Sequence, residues 1–200
     1  MKAKKIAAVM LAATMTLSLA ACGGSSSSDS KSADGASDSG KVYKIGICQQ
    51  LEHEALDQAT KGFEDACEEK FGKDNVTFDL QNGQGEQANC ATIANNFVAD
   101  NVDLIMANAT TALQCSAAAT SDIPILGTSI TDYATALDIS DWTGATGMNI
   151  SGTSDLAPID KQEEMLTELV PDAKTVGILY CSAEPNSAYQ ANLFAEALKK

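Results

Sequence analysis

Positive charge is scarce in this chain: 13 basic residues face 27 acids, for a formal net charge of −14. Nucleic acid and anionic lipid surfaces are poor partners for such a polypeptide, and the acidity itself needs no role beyond solubility. Histidine occurs once, as His53 between Glu52 and Glu54, where it reads as a loop hydrogen-bonding group and not as a catalyst. Cysteine is present but without pattern. Besides Cys22 there are Cys48, Cys67, Cys90, Cys115 and Cys181, an odd number with no C-x-x-C spacing, so neither a metal site nor a disulfide framework is expected. These five read as small buried hydrophobes. No G-x-x-x-x-G-K-[ST] loop is present, so the chain carries no nucleotide-hydrolysing phosphate cradle, and no cofactor is expected. Aromatics make up 5% of residues, so any stacking platform rests on Tyr133, Trp142, Tyr180 or residues beyond Lys200.

The amino-terminal stretch has its own logic. Lys2, Lys4 and Lys5 precede an apolar segment over residues 6–19, too short for a comfortable membrane span but suited to a signal-peptide core. Leu19-Ala20-Ala21-Cys22 resembles a bacterial lipobox, which makes residues 1–21 a signal peptide and Cys22 the lipidated mature terminus; ordinary secretory cleavage after Ala21 is the alternative. A diacylglyceryl group supplies the two chains that lasting attachment requires. Residues 22–40 are then a Ser, Gly, Asp and Ala tether with a mean reach of roughly 20 to 25 Å. Cleavage removes three lysines and no acids, leaving 27 acids against 10 bases, or −17.

From residue 41 onward, short apolar runs alternate with stretches of helical periodicity. Runs at 42–48, 76–80, 104–107, 124–127 and 146–150 read as strands. Leu56, Ala59, Phe63, Ala66 and Cys67 mark one amphipathic helix, and Cys90, Ile93, Ala94, Phe97 and Val98 mark another over residues 87–100. A third opens near Thr110 and Thr111. Strand–helix alternation at this spacing predicts an α/β fold with a parallel sheet covered on both faces, because each parallel pair needs a crossover. A second series follows: a helix over 158–169 with Ile159, Leu166, Leu169 and Val170 inward, a buried strand at 175–180, and a helix over 187–200. One strand with its helices leaves unpaired edges, so the native polypeptide is expected to continue past Lys200 or this chain to be a fragment.

Several stretches in this order, IGICQQLEHEALDQATKGFEDA, FDLQNGQGEQANCATIANNFVADNVDLIMANATTALQ, IPILGTSITD, GMNISGTSDLAPIDKQ and YCSAEPNSAYQ, resemble the tryptophan- and tyrosine-type substrate-binding lipoproteins of bacterial ABC importers. The resemblance implies a type I periplasmic-binding fold with two α/β lobes: residues 41–150 as the first, and 151–200 as a hinge crossing and the incomplete start of the second. It also implies an extracytoplasmic, membrane-anchored protein that closes on an amino acid and hands it to a permease driven by a separate ATPase.

In open parallel sheets, ligands lie beyond the carboxyl ends of the strands. That rule points to loops carrying Gln50, Glu52, Thr110, Thr111, Thr128, Thr131, Asp132, Glu184, Asn186 and Ser187. Thr110 and Thr111 open a helix, where hydroxyls and free N–H groups suit a carboxylate, although a threonine there also serves as a plain cap. Glu52, Asp132 and Glu184 are the acids available to a ligand ammonium, with surface solvation or capping as the competing role for each. Asn186 and Ser187 are capping types at a helix start and face the same cleft in this fold. Trp142 is a candidate cleft-rim aromatic, with a packed surface role as the alternative.

Two other functions share the architecture. A sensory receptor lobe uses the same fold without transport. Two-cysteine amino-acid racemases carry an A-C-N-T-like turn after a strand; the comparable turn here, Ala107-Asn108-Ala109-Thr110, lacks the thiol, and Cys115 lies more than one turn into its helix. The lipobox favours an importer component, and no catalytic residue is assigned.

Overall fold

The computed structural model describes residues 40–199. The expected signal peptide, the Cys22 lipidation site and the tether lie outside them, apart from Gly40. The order of elements is β1 (Tyr43–Gln49), α1 (Glu54–Phe71), a 3-10 turn (Lys73–Asn75), β2 (Val76–Asn82), α2 (Gln87–Ala99), β3 (Leu104–Asn108), α3 (Thr110–Ala119), β4 (Ile125–Ile130), α4 (Tyr133–Ala136), β5 (Ile150–Ser154), α5 (Ile159–Leu169) and α6 (Pro185–Ala197). Five strands form one parallel sheet in the order β2-β1-β3-β4-β5. This is the α/β architecture expected from the alternation of runs.

Helix boundaries follow local chemistry. His53 caps α1, its Nδ1 accepting from Ala55 N at 3.2 Å, with Glu54 and Asp57 in the first turn and Lys70 in the last. Acids at the start and a base at the end complement the helix dipole. Gly72 ends the helix at φ +90°, a left-handed value that an L side chain resists. The hydrogen-bonding role expected of His53 is therefore the one observed.

Alternation along the strands sends side chains to two cores. On one face Cys48, Ala107 and Ile125 meet α2 and α3 through Cys90, Ile93, Ala94, Phe97 and Leu113; on the other Ile45, Ile47, Val76 and Met106 meet Cys67 and Phe63 of α1. The inward set predicted for α2 holds, with Val98 half-buried; in α1, Ala66 is exposed.

Four expectations are corrected. The fifth strand is Ile150–Ser154, not residues 146–150. Ile150 pairs with Ile125, and Gly152 passes Gly127 so closely that a Cβ there would lie 2.1 Å from the Gly127 carbonyl oxygen; backbone fit, not hydropathy, sets this register. Residues 175–180 form no strand. A ladder requires a neighbouring backbone, the run has no strand partner among the described residues, and Leu179 is fully exposed. The apolar stripe predicted for α5 is likewise largely open, with Leu169 73% and Val170 50% exposed. Cys181, expected to be buried, is an exposed free thiol because the run that carries it is uncovered.

Candidate functional site

The carboxyl ends of β1, β3 and β4 lie side by side, since Gln49 pairs with Asn108 and Asn108 with Thr128. Beneath them sits a polar network that apolar periodicity did not reveal. Thr60 Oγ1 donates to Gln49 Oε1 at 2.7 Å, and Gln49 Nε2 donates to Asp57 Oδ1 at 2.6 Å and to the Leu51 carbonyl at 2.9 Å. Asn108, fully buried, donates to the Leu56 carbonyl at 2.8 Å and to Thr60 Oγ1 at 3.0 Å, while its Oδ1 meets no donor. The network ties α1 to the strand ends, so the loops above stand on a fixed base.

The backbone here carries local strain. Ala109, between β3 and α3, adopts φ 84°, ψ 163°, a region occupied almost only by glycine, and Ser129, where β4 shifts register against β5, has φ 56°. Such conformations cost on the order of 1 to 3 kcal/mol each and persist where surrounding bonds dictate them. Ala109 N donates to the Thr128 carbonyl at 3.0 Å, and the Ala109 carbonyl accepts from Leu113 N at 3.1 Å. The residue is pinned from both sides, which delivers Thr110 abruptly into the first turn of α3.

Gln50 is 6% exposed and joins three parts of the chain. Its Oε1 accepts from Thr111 N at 3.1 Å in the first turn of α3, and its Nε2 donates to Glu184 Oε1 at 2.9 Å at the head of α6. Thr131, also 6% exposed, receives a longer contact of 3.4 Å from Gln190 Nε2 of α6, while its carbonyl accepts from Ser154 Oγ at 2.8 Å. Gln50, Thr111 and Glu184 are thus brought into one cluster, with Thr131 bonded to the same helix α6.

The remaining predicted residues have these places. Thr110 is buried as the first residue of α3 and does not cap it; the cap position is Ala109. Thr128 is half-buried within β4, opposite Asn108 of β3. Asp132 caps α4, its Oδ1 accepting from Thr135 N at 2.7 Å, so one oxygen is engaged in structure. Ser187 Oγ accepts from Cys181 N at 2.9 Å, and Asn186 lies beside it in the first turn of α6, which opens at Glu184 with Pro185 in the first position. Glu52 is exposed at the mouth of a separate cavity of about 470 Å³ shared with Asp57, Lys61 and Glu64. Tyr133 is a packing residue whose hydroxyl donates to the Gly127 and Thr153 carbonyls at 3.0 and 3.3 Å; burial first, and then the Asp155 charge, push its pKa up to about 12. Trp142 is 43% exposed and lines a cavity of about 440 Å³ with Tyr133 and the glycine-rich loop at 144–148. Cys115 is buried, with its thiol near the Gln87 carbonyl. Among the described residues no group of three or more His, Cys, Asp or Glu is arranged to hold a metal ion, and no helix is long and apolar enough to cross a membrane.

A parallel sheet with strained backbone at its carboxyl edge, faced by the head of a helix from the far end of the chain, is the arrangement of the type I periplasmic-binding fold. The chain belongs to the ABC transporter substrate-binding protein family, whose profile matches residues 44–200. It is 39% identical over 202 residues to a tyrosine-binding protein of Clostridioides difficile, an alignment that covers all of this chain and 58% of that protein. Among solved structures it is similar to an ABC domain from Streptococcus pneumoniae in complex with L-Trp (TM-score 0.74, 36% identity, 80% of this chain and 54% of that one). It is also similar to a ligand-free, open substrate-binding protein with adhesive properties from Clostridium difficile (TM-score 0.63, 39% identity, 79% and 52%). The chain therefore spans little more than half the length of these relatives.

Proposed function

We propose that this chain is the solute-binding lipoprotein of an ABC importer. It captures an amino acid, in the first instance an aromatic one, between two α/β lobes, and presents it to a membrane permease energised by a separate ATPase. The observation that carries this reading is the convergence at Gln50: the head of α3, the end of β1 and the head of α6 meet where a parallel sheet places its ligands. A ligand carboxylate fits the first turn of α3, with the hydroxyls of Thr110, Thr111 and Thr128 beside it. Glu184, whose Oε1 accepts from the neutral Gln50 amide, is the acid best placed for an ammonium, ahead of the capping Asp132. No bond is made or broken; closure of the second lobe over the first is the whole event. The tryptophan and tyrosine named for the relatives support the aromatic assignment.

In the same reading residues 1–21 export the chain, Cys22 carries the lipid, and residues 22–40 let the lobes stand off the extracytoplasmic face of the cell membrane. The lobes divide near residue 150, with 151–200 forming the hinge crossing and the start of the second.

Thermal shift and calorimetry on the full chain carrying C22S test the ligand. Tryptophan, tyrosine, phenylalanine, isoleucine and a nucleoside are the probes. A bound ligand at a hundredfold over its Kd stabilises by about 2.7 kcal/mol, several degrees for a domain of this size. A shift with an aromatic amino acid that E184A weakens at least about tenfold is expected, as a charge-assisted contact would require; flat traces with every amino acid would sink the reading. Detergent-phase partition of wild type against C22S tests the anchor separately.

A further inference from the structure

Among the described residues Gln50 is the one side chain that hydrogen-bonds both α3 and the head of α6, and its chemistry fits that place narrowly. The Thr111 N–H only donates and an ionised Glu184 only accepts, so the bridging group must offer one acceptor and one donor. A side-chain amide does so in one plane, and the two partners leave its orientation unambiguous. Glutamate at this position would satisfy Thr111 and repel Glu184. An apolar residue would leave the N–H of α3 without its partner. With the amide 6% exposed, solvent competes little for either bond.

From this geometry we infer that Gln50 is a positioning residue that couples the two lobes, holding the head of α6 against α3 before any ligand arrives. The inference rests on the two-lobe reading above and goes beyond it, because it assigns closure to a bond within the protein. Moving α6 away breaks the bond to Glu184 and leaves that to Thr111 intact. Gln50 therefore travels with the first lobe, and Glu184 is the part released. The bond to the carboxylate is charge-assisted and about twice as strong as a neutral one. The contact of Gln190 with Thr131, one and a half turns further along α6, is longer at 3.4 Å and plays the lesser part. While the bridge stands, Gln50 also fills the Thr111 N–H, so a ligand carboxylate at α3 must use the remaining first-turn groups or displace the amide.

The test measures distance without ligand. Nitroxide labels are placed at the exposed positions Gln58 and Glu168 through Q58C and E168C in a C22S, C181S background of the full chain, and pulsed dipolar spectroscopy gives the ratio of short to long separations. Wild type is expected to populate the short distance. Q50E, which sets like charges at hydrogen-bond range, should lower the short-to-long ratio by about tenfold or more, and E184A should also lower it. The double variant Q50E/E184Q reverses donor and acceptor and should return the ratio to within about threefold of wild type, a recovery that a residue needed only for folding would not give. A wild type with only the long separation, a ratio indifferent to Q50E and E184A, or a double variant that stays open would each overturn the inference. E184A alters a half-buried side chain and keeps the test open if Q50E does not fold. Since no ligand enters the measurement, failure to bind any amino acid counts against the importer reading alone.

Discussion

A Cβ placed on Gly46 would lie 2.6 Å from Cγ of Phe97. The aromatic ring of α2 thus rests directly on the backbone of β1, and Phe97 is 1% exposed in that seat. The contact fixes how close α2 comes to the strand whose end carries Gln49 and Gln50. G46A should therefore overpack the core and lower stability by about 1 to 3 kcal/mol, read as a fall in the urea midpoint. Gly62 is the control: it lies within α1 and a Cβ there meets nothing within 4 Å. G62A should raise stability by about 0.5 to 1 kcal/mol through helix propensity alone.

Ala109 supplies a second backbone prediction. Its φ of 84° with ψ of 163° is held by one bond to β4 and one from α3, so glycine should relax there without moving the loop. Relief of about 1 to 3 kcal/mol of strain is offset by about 0.4 to 1 kcal/mol from the more flexible unfolded chain. A109G should gain about 0.5 to 2 kcal/mol in denaturant melts. A loss of stability would show that the alanine methyl is needed for packing.

These two positions mark what the sequence did and did not disclose. Strands rich in Val, Ile and Leu were readable because burial on both faces makes them continuous apolar runs, as at Ile45, Ile47 and Ile105. The strand at Ile150–Ser154 was misplaced because only Ile150 is buried and its register depends on Gly152 passing Gly127. Hydropathy carries no record of such a fit. The run at 175–180 shows the opposite error, since an apolar pattern states a preference for burial and not the presence of a partner. At the site, Gln50 and Thr111 were legible from their place beyond strand ends, and Glu184 as a candidate acid at a helix start, although the strand expected before it does not form. Their bonding was not, because Gln50 and Glu184 stand 134 residues apart. The network of Gln49, Thr60 and Asn108 was missed outright; polar residues at inward-facing positions near strand ends were the only available signal.

Tyr133 makes stability depend on alkaline pH. Its phenol is buried and its pKa is pushed up to about 12 from a reference of 10.0. The folded protein holds this proton more tightly than the unfolded chain, so the contribution is intact below pH 10 and is lost as pH rises toward 12. Two pKa units correspond to about 2.7 kcal/mol at most. Y133F should lose about 1 to 2 kcal/mol at neutral pH, because the hydrogen bonds to the Gly127 and Thr153 carbonyls disappear. The gap between wild type and Y133F should then narrow across pH 10 to 12. Parallel urea melts at four or five pH values decide it; a constant gap would mean the phenol ionises freely.

The thiols give a prediction about reactivity. Cys48, Cys67, Cys90 and Cys115 are buried and Cys181 is exposed. Attack on a disulfide reagent needs a thiolate that solvent can reach. Burial raises the pKa of Cys67 and Cys115, and Cys48 is raised by its hydrogen bond to Cys90 and then by burial. Cys90 accepts that hydrogen bond, yet it is fully buried beneath Gly83, where an added Cβ would meet its sulfur at 2.3 Å. No reagent reaches it without local opening. In the C22S protein, Ellman's reagent at pH 8 should therefore titrate one fast thiol, abolished by C181S, and the other four only on unfolding. Fast labelling of Cys90 in the folded protein would mean that the Gly83 loop opens readily, which would also loosen the seat of Gln50, because Gly85 N donates to the Gln50 carbonyl at 2.9 Å.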